Sequence, residues 1–156
     1  NLTTRLIAGA KSDPSTHYLI IAGRMDVERV QKIAEGHANI HVVGFCSQMD
    51  LAYAACDGVI ARSGASTLCE LSELGKACLL VPFPFAADDH QTFNAKAYVV
   101  HDAACMCPQD ALSPEQIVKF VQSKVKDGEA RQAMEEAMRA LSHPTAAAKI
   151  ADIILA

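Results

Sequence analysis

Apolar residues recur along the chain in short unbroken runs that alternate with segments of helical spacing. The run HYLIIAG (17–23) ends in Gly and predicts a buried strand. MDVERVQKIAEG (25–36) places Val27, Val30 and Ile33 or Ala34 on one side and stops at Gly36, which predicts an amphipathic helix. NIHVVGF (39–45) predicts a second strand, and SQMDLAYAACD (47–57) a short helix with Ser47 as its cap. GVIA (58–61) predicts a third strand, and STLCELSELG (66–75) a helix turning Leu68, Leu71 and Leu74 to the core. ACLLVPF (77–83) has no polar alternation, as expected of a parallel strand covered on both faces. DDHQTFNAKAYVVHD (88–102) predicts a helix and AACMCP (103–108) a strand. SPEQIVKFVQSKV (113–125) opens with a Ser cap and a Pro in the first helical position. GEARQAMEEAMRAL (128–141) and TAAAKIADIIL (145–155) predict closing helices.

Strands that alternate with helices predict an α/β fold: a Rossmann-like, doubly wound parallel sheet with right-handed crossovers. Ligands of such sheets sit beyond the carboxyl ends of the strands. Four loops lie there: Gly23-Arg24, Gly44 to Ser47, Arg62 to Thr67 and Pro82 to Gln91. No repeat, low-complexity tract or linker interrupts the pattern. The chain opens on Asn1 without an initiator Met and enters directly into a helical pattern, so a fragment is expected.

Composition narrows the function classes. With 51% apolar and 21% charged residues, the 156-residue chain is globular and long enough for one domain with a core. A formal charge of −4 and no basic patch argue against nucleic-acid binding. No apolar run approaches the roughly 18 residues of a membrane span, and the first residues do not have the pattern of a signal peptide. The six cysteines form no C-x-x-C pair, so the expectation is reduced core residues of a cytoplasmic protein and no metal site.

The stretch ARSGASTLCELSELG (61–75) puts nothing bulky between a strand and a helix. Gly64 and Ala65 let a ligand approach the backbone, and the free N–H groups at the helix start form an anion site suited to phosphate. Ser66 and Thr67 add hydroxyls, Arg62 a nearby cation. Glu70, one turn in, is an acceptor-only group suited to a sugar diol. The same residues also fit a capping box, Thr67-x-x-Glu70, which needs no ligand. In VPFPFAADDHQTFNA (81–95), Asp88-x-x-Gln91 is again capping-box-like, while His90 and Gln91 carry the donors and acceptors to read a neutral ligand. Phe45 is either a ring over a flat ligand, with the Cys46 backbone at its edge, or an ordinary core residue. Gly23-Arg24 is a plain strand-exit turn. The scattered His and Met residues lack cofactor or metal spacing, and no P-loop, nucleophile elbow or dinucleotide fingerprint occurs.

DGVIARSGASTLCELSELGKACLLVPFPFAADDHQTFNAKAYV, with NIHVVGFCSQMDLAYAACD upstream, strongly resembles the C-terminal domain of the MurG family, bacterial transferases that carry GlcNAc from UDP-GlcNAc to lipid I. The resemblance is most specific in R-S-G-A-x-T-x-x-E and V-P-F…H-Q-x-x-N-A and covers nearly the whole chain. It implies the C-terminal half of a glycosyltransferase B fold, the half that holds the donor. Phe45 and Cys46 then match positions beside the uracil, where relatives usually carry an aliphatic residue in place of Cys46. Ala65, Ser66 and Thr67 match the turn facing the diphosphate, Glu70 the ribose-binding glutamate, and His90 and Gln91 a pair facing the GlcNAc hydroxyls. Arg62, Ser63 and Gly64 complete the expected donor-binding set, and Asn94 is assigned no contact.

The resemblance further implies an inverting transfer that needs no metal and no cofactor, with no catalytic base in this chain. Lipid I and the membrane surface would be met by a preceding domain, at the cytoplasmic face of the bacterial membrane. The family's Gly-Gly-Ser loop and first strand would precede residue 1, so turnover by this chain alone is not expected. Three alternatives stay open: another UDP-sugar enzyme of the same fold, a donor-binding subunit that works with a separate partner chain, or a plain Rossmann-like scaffold whose loops are only capping boxes.

Overall fold

All strands pair in parallel, as the unbroken apolar runs require, but they form two sheets. The computed structural model describes residues 2–155, so Asn1 lies outside the described residues. Along the chain run α1 (Leu2–Lys11), β1 (Tyr18–Ile21), α2 (Val27–Ala34), β2 (Ile40–Val43), α3 (Met49–Ala55), β3 (Val59–Ala61), α4 (Ala65–Leu74) and β4 (Cys78–Leu80). A 3-10 turn (Ala87–Asp89), α5 (His90–Val99), β5 (Cys105–Met106), α6 (Pro114–Phe120), a π-helical turn (Val121–Val125), α7 (Gly128–Ala140) and α8 (Ala146–Leu155) complete it. β1 pairs with β2 in register Tyr18 to Ile40 through Ile21 to Val43. β3, β4 and β5 form the second sheet in that order, with Val59 opposite Cys78 and Leu79 opposite Cys105. The single expected sheet is therefore divided between β1 and β3, each of which has one strand neighbour among the described residues.

Burial follows position in the sheets. β4 is the middle strand, and Cys78, Leu79 and Leu80 are all buried, as its continuous apolar run predicts. Alternate residues serve opposite faces. Cys78 and Leu80 join Tyr53, Leu68, Leu71, Ala95 and Met138. Ala77, Leu79 and Val81 join Leu112, Ile117, Phe120 and Met134. β1 departs from expectation: Ile20 is buried, but Leu19 and Ile21 are 50% and 42% exposed. One of its faces packs on Ile7, Ala10, Val30 and Ala34, and the other is left uncovered.

Side-chain contacts lock α1 in place. Gly9 permits its close approach to α6: a Cβ there would lie 2.7 Å from Ile117 Cδ1. The buried Asn39 amide donates to the carbonyls of Ala10, Asp13 and Thr16 at 3.0–3.3 Å, tying the α1–β1 turn to β2. Asp13, 4% exposed, receives Ser15, Thr16 and Tyr18 hydroxyls and faces Lys126. Burial acts to raise its pKa, but those hydrogen bonds and the Lys126 ammonium outweigh it and hold the carboxyl below its ordinary value.

Several local expectations shift. Ser47 does not cap α3, which begins at Met49 after Gln48 without a side-chain cap. Leu74 is 42% exposed, because Ser72 takes the inward position and satisfies its hydroxyl on the Cys69 carbonyl at 3.0 Å. Cys69 is exposed, unlike the core cysteine expected. Cys78 is fully buried, and burial first, with the neighbouring Cys105, pushes its thiol up to about 12. Ser113 caps α6 as expected, accepting from Gln116 N–H at 3.3 Å.

Candidate functional site: an uncapped helix start with a braced carboxylate

β3 ends at Ala61, and α4 begins four residues later. Its N-cap is Gly64, extended at φ −68° and ψ 147°, and no side chain caps it. Leu68 N–H closes the first helical bond on the Gly64 carbonyl, so the N–H groups of Ala65, Ser66 and Thr67 face outward in the geometry of a helix start. Ala65 and Ser66 are exposed and Thr67 is half-buried. A Cβ on Gly64 would meet nothing within 4 Å, and its φ is ordinary, so neither packing nor backbone strain calls for glycine there.

The expected Thr67-x-x-Glu70 capping box does not form. Thr67 is the third residue of α4 and Glu70 the sixth, one turn too far along for the glutamate of such a box. Instead Glu70 Oε2 accepts a 2.8 Å hydrogen bond from the Tyr53 hydroxyl of α3. Glu70 is exposed while Tyr53 is buried at 9%.

Arg62 and Ser63 are turned inward. Arg62 Nη1 donates to the carbonyls of Val81 and Pro82 at 3.1 and 2.9 Å, Nη2 donates to Gln109 Oε1, and the guanidinium lies 5.3 Å from the centre of the Phe83 ring. Burial lowers its pKa from the ordinary arginine value. The Ser63 hydroxyl, fully buried, donates to the Gln91 carbonyl at 2.7 Å, and Asn94 Nδ2 donates to the Ser63 carbonyl at 3.1 Å. These bonds join the strand-end loops after β3, β4 and β5 into one unit.

The loop after β4 is strained where it enters α5. Asp88 and Asp89 both sit in the left-handed region, at φ 50° and 52°. The expected Asp88-x-x-Gln91 capping box does not form either: the N-cap of α5 is Asp89, and no side chain caps it. Gln91 Oε1 instead accepts the Phe83 N–H at 3.0 Å, which orients the amide and leaves its NH2 group to donate. His90 Nδ1 lies 2.7 Å from the Ala87 carbonyl, an acceptor, so Nδ1 carries the proton and a neutral ring offers Nε2 as an acceptor. His90 is exposed.

Phe45 and Cys46 lie past the end of β2, in the other sheet. Phe45 is 61% exposed, which removes the core reading, and the Arg24 guanidinium stands 4.9 Å from its ring centre. Sequence does not point to Tyr53 or Gln109, reads Arg24 only as part of a plain strand-exit turn, and assigns Asn94 no contact. Each acts on a site residue distant in the chain, and no local motif carries that pairing. A shallow concavity of about 720 Å³ runs along α2 and β2 past Gln31, Gly36 and His41, away from the α4 start. Among the described residues, no group of three or more His, Cys, Asp and Glu side chains is placed to hold a metal.

Residues 4–152 match the glycosyltransferase family 28 C-terminal domain. The chain belongs to that family. Within it, the chain is 39% identical over 140 residues to a Myxococcus xanthus protein and 42% identical over 129 residues to one from Prosthecochloris aestuarii. Both carry the name UDP-N-acetylglucosamine–N-acetylmuramyl-(pentapeptide) pyrophosphoryl-undecaprenol N-acetylglucosamine transferase. The matches take in 89% and 83% of this chain but 37% and 35% of those relatives, so the chain spans about a third of their length. The crystal structure of Acinetobacter baumannii MurG superposes with a TM-score of 0.83 and 30% identity, covering 99% of this chain and 47% of that one. The glycosyltransferase VinC, 18% identical with a TM-score of 0.68 over 91% of this chain, shares the fold. The expected α/β architecture of a glycosyltransferase B half is thus the family 28 fold.

Proposed function

We propose that this family 28 domain is the donor-binding half of an inverting transferase that moves GlcNAc from UDP-GlcNAc to lipid I, forming lipid II for peptidoglycan. The observation that carries this reading is the open start of α4 with a carboxylate one turn on: uncapped N–H groups at Ala65, Ser66 and Thr67, then exposed Glu70. The diphosphate lies on the N–H groups and on the Ser66 and Thr67 hydroxyls. Glu70 accepts the ribose hydroxyls. Gln91 donates its NH2 to the sugar, and His90 Nε2 accepts from it. Phe45 and the Cys46 backbone meet the uracil. Gly64 keeps the approach to the diphosphate clear, while Arg62 and Ser63 hold the loops in place from behind.

In the reaction the acceptor's C4 hydroxyl attacks C1 of GlcNAc, the C1–O bond to UDP breaks, and the configuration inverts. Negative charge grows on the departing diphosphate, where the fixed dipoles of the α4 start stabilise it. Removing one such donor costs about 10²–10³ in rate in comparable sites. No side chain of this half is assigned as the base that takes the C4 hydroxyl proton. That role, the lipid I site and the membrane contact at the cytoplasmic face belong to the other half of the parent transferase. The described residues include no helix long and apolar enough to cross a membrane.

The test is a calorimetric titration of the chain with UDP-GlcNAc, UDP and UDP-glucose, repeated on Glu70→Ala. Saturable binding of UDP-GlcNAc that Glu70→Ala weakens by tenfold or more is expected. Equal affinities of the two proteins would remove Glu70 from the site. Tighter binding of UDP-glucose than of UDP-GlcNAc would turn the reading toward another UDP-sugar enzyme of this fold.

A further inference from the structure

Glu70 is exposed on α4, and a free glutamate there would sample many rotamers. It does not stand alone. Tyr53, 17 residues earlier on α3, reaches Oε2 at 2.8 Å. The Tyr53 ring is fixed in the apolar cluster with Leu68, Leu71 and Leu80, so its hydroxyl is a stationary donor at the rim of the core. Burial first, and then the bond to Glu70, raises the phenol well above the ordinary tyrosine value, so it keeps its proton at neutral pH. A carboxylate only accepts, hence the bond has one direction.

We propose that Tyr53 is a positioning residue for donor recognition: by holding Glu70 Oε2 it fixes the carboxylate plane and leaves Oε1 to take the ribose hydroxyls. The inference rests on the assignment of Glu70 to the ribose and extends it to a residue that has no place in the ligand shell. Glu70 then enters the complex already ordered, and binding does not have to freeze its side chain. Tyr53 donates to one oxygen alone, so the second keeps its full acceptor capacity for a diol. The effect is confined to ligands that carry ribose hydroxyls.

The experiment measures the affinities of UDP and of 2′,3′-dideoxy-UDP for the wild-type chain, Tyr53→Phe, Glu70→Ala and the double variant. Tyr53→Phe keeps the ring and so its packing, and thermal unfolding of each variant checks the fold. Tyr53→Phe is expected to weaken UDP by about 2- to 10-fold, the size of one hydrogen bond, and to change dideoxy-UDP by less than about twofold. On the Glu70→Ala background the same substitution is expected to leave UDP affinity unchanged. Equal losses for both ligands would make Tyr53 a packing residue and overturn the proposal, as would no loss for UDP. If the wild-type chain fails to prefer UDP over dideoxy-UDP, the ribose assignment itself falls, and this inference with it. The wild-type arm therefore reports on the site and the Tyr53→Phe arm on the positioning.

Discussion

Ser63 donates its buried hydroxyl to the main-chain carbonyl of Gln91 at 2.7 Å, across 28 residues of chain. This bond fixes the α5 start against the loop that precedes α4, and Asn94 reinforces it by donating to the Ser63 carbonyl. The two segments of the candidate site, Ala65 to Glu70 and His90 to Gln91, are therefore spaced by an internal strut.

Ser63→Ala removes the strut without enlarging a side chain. Stability should fall by about 1 kcal/mol, the usual net value of such a bond. For a chain of this size that corresponds to about 2–4 °C in melting temperature. UDP-GlcNAc affinity should fall more than UDP affinity, because only the sugar touches the α5 start in the proposed site. Calorimetric unfolding and parallel titrations check both.

Gly64→Ala separates ligand approach from folding. A Cβ at this position meets nothing within 4 Å and φ is −68°, so the fold accepts it. Alanine is a poorer N-cap than glycine, but it restricts the unfolded chain, and stability should stay within about 0.5 kcal/mol of wild type. If the diphosphate lies against this backbone, the added methyl should weaken UDP by about tenfold or more, in line with overpacking costs. Unchanged UDP affinity would move the diphosphate elsewhere.

Arg62→Met tests whether the cation serves the ligand directly or through the loops. It leaves the Val81 and Pro82 carbonyls and Gln109 without their donor. Unfolding should show a loss of about 1–3 kcal/mol, the cost of orphaned partly buried acceptors. The salt dependence of UDP binding should stay as in wild type, because the guanidinium is engaged inside the protein.

Asp13 makes acid stability predictable in sign. Its folded pKa is held below 3.8, so its contribution is fully present above about pH 4 and is lost as pH falls through the folded value. The stability advantage of wild type over Asp13→Asn should therefore be largest near neutrality and shrink below pH 4. Melting temperatures measured from neutral pH down to about pH 2.5 follow this directly.

Gly9→Ala should destabilise the α1–α6 contact by about 1–3 kcal/mol, since the new methyl would sit 2.7 Å from Ile117 Cδ1. Ile117→Ala, itself destabilising through a cavity, should cost less on the Gly9→Ala background than alone. Denaturant unfolding of the four chains in a double-mutant cycle gives the coupling.

The sequence by itself determined the alternation of strands and helices, the parallel pairing and the strand-end loops that carry the candidate site. Those signals are local: Cys78 to Leu80 is apolar at every position because both sheet faces are covered, and Ser113-Pro114 marks a helix start within two residues. Hydrophobic spacing also found Leu68 and Leu71, but it could not tell Leu74, exposed, from Ser72, buried, because that depends on which elements pack against α4. Both capping boxes were fair local readings, and both gave way to bonds from distant partners: Glu70 to Tyr53, and Gln91 to Phe83. Only the tertiary structure decided that Arg62 donates to Gln109, 47 residues away. A cation, a hydroxyl or a carboxylate has no preferred partner in sequence. Its partner is whichever complementary group the packed elements bring within about 3 Å, and that choice is made when α3, α4 and the ends of β3, β4 and β5 come together.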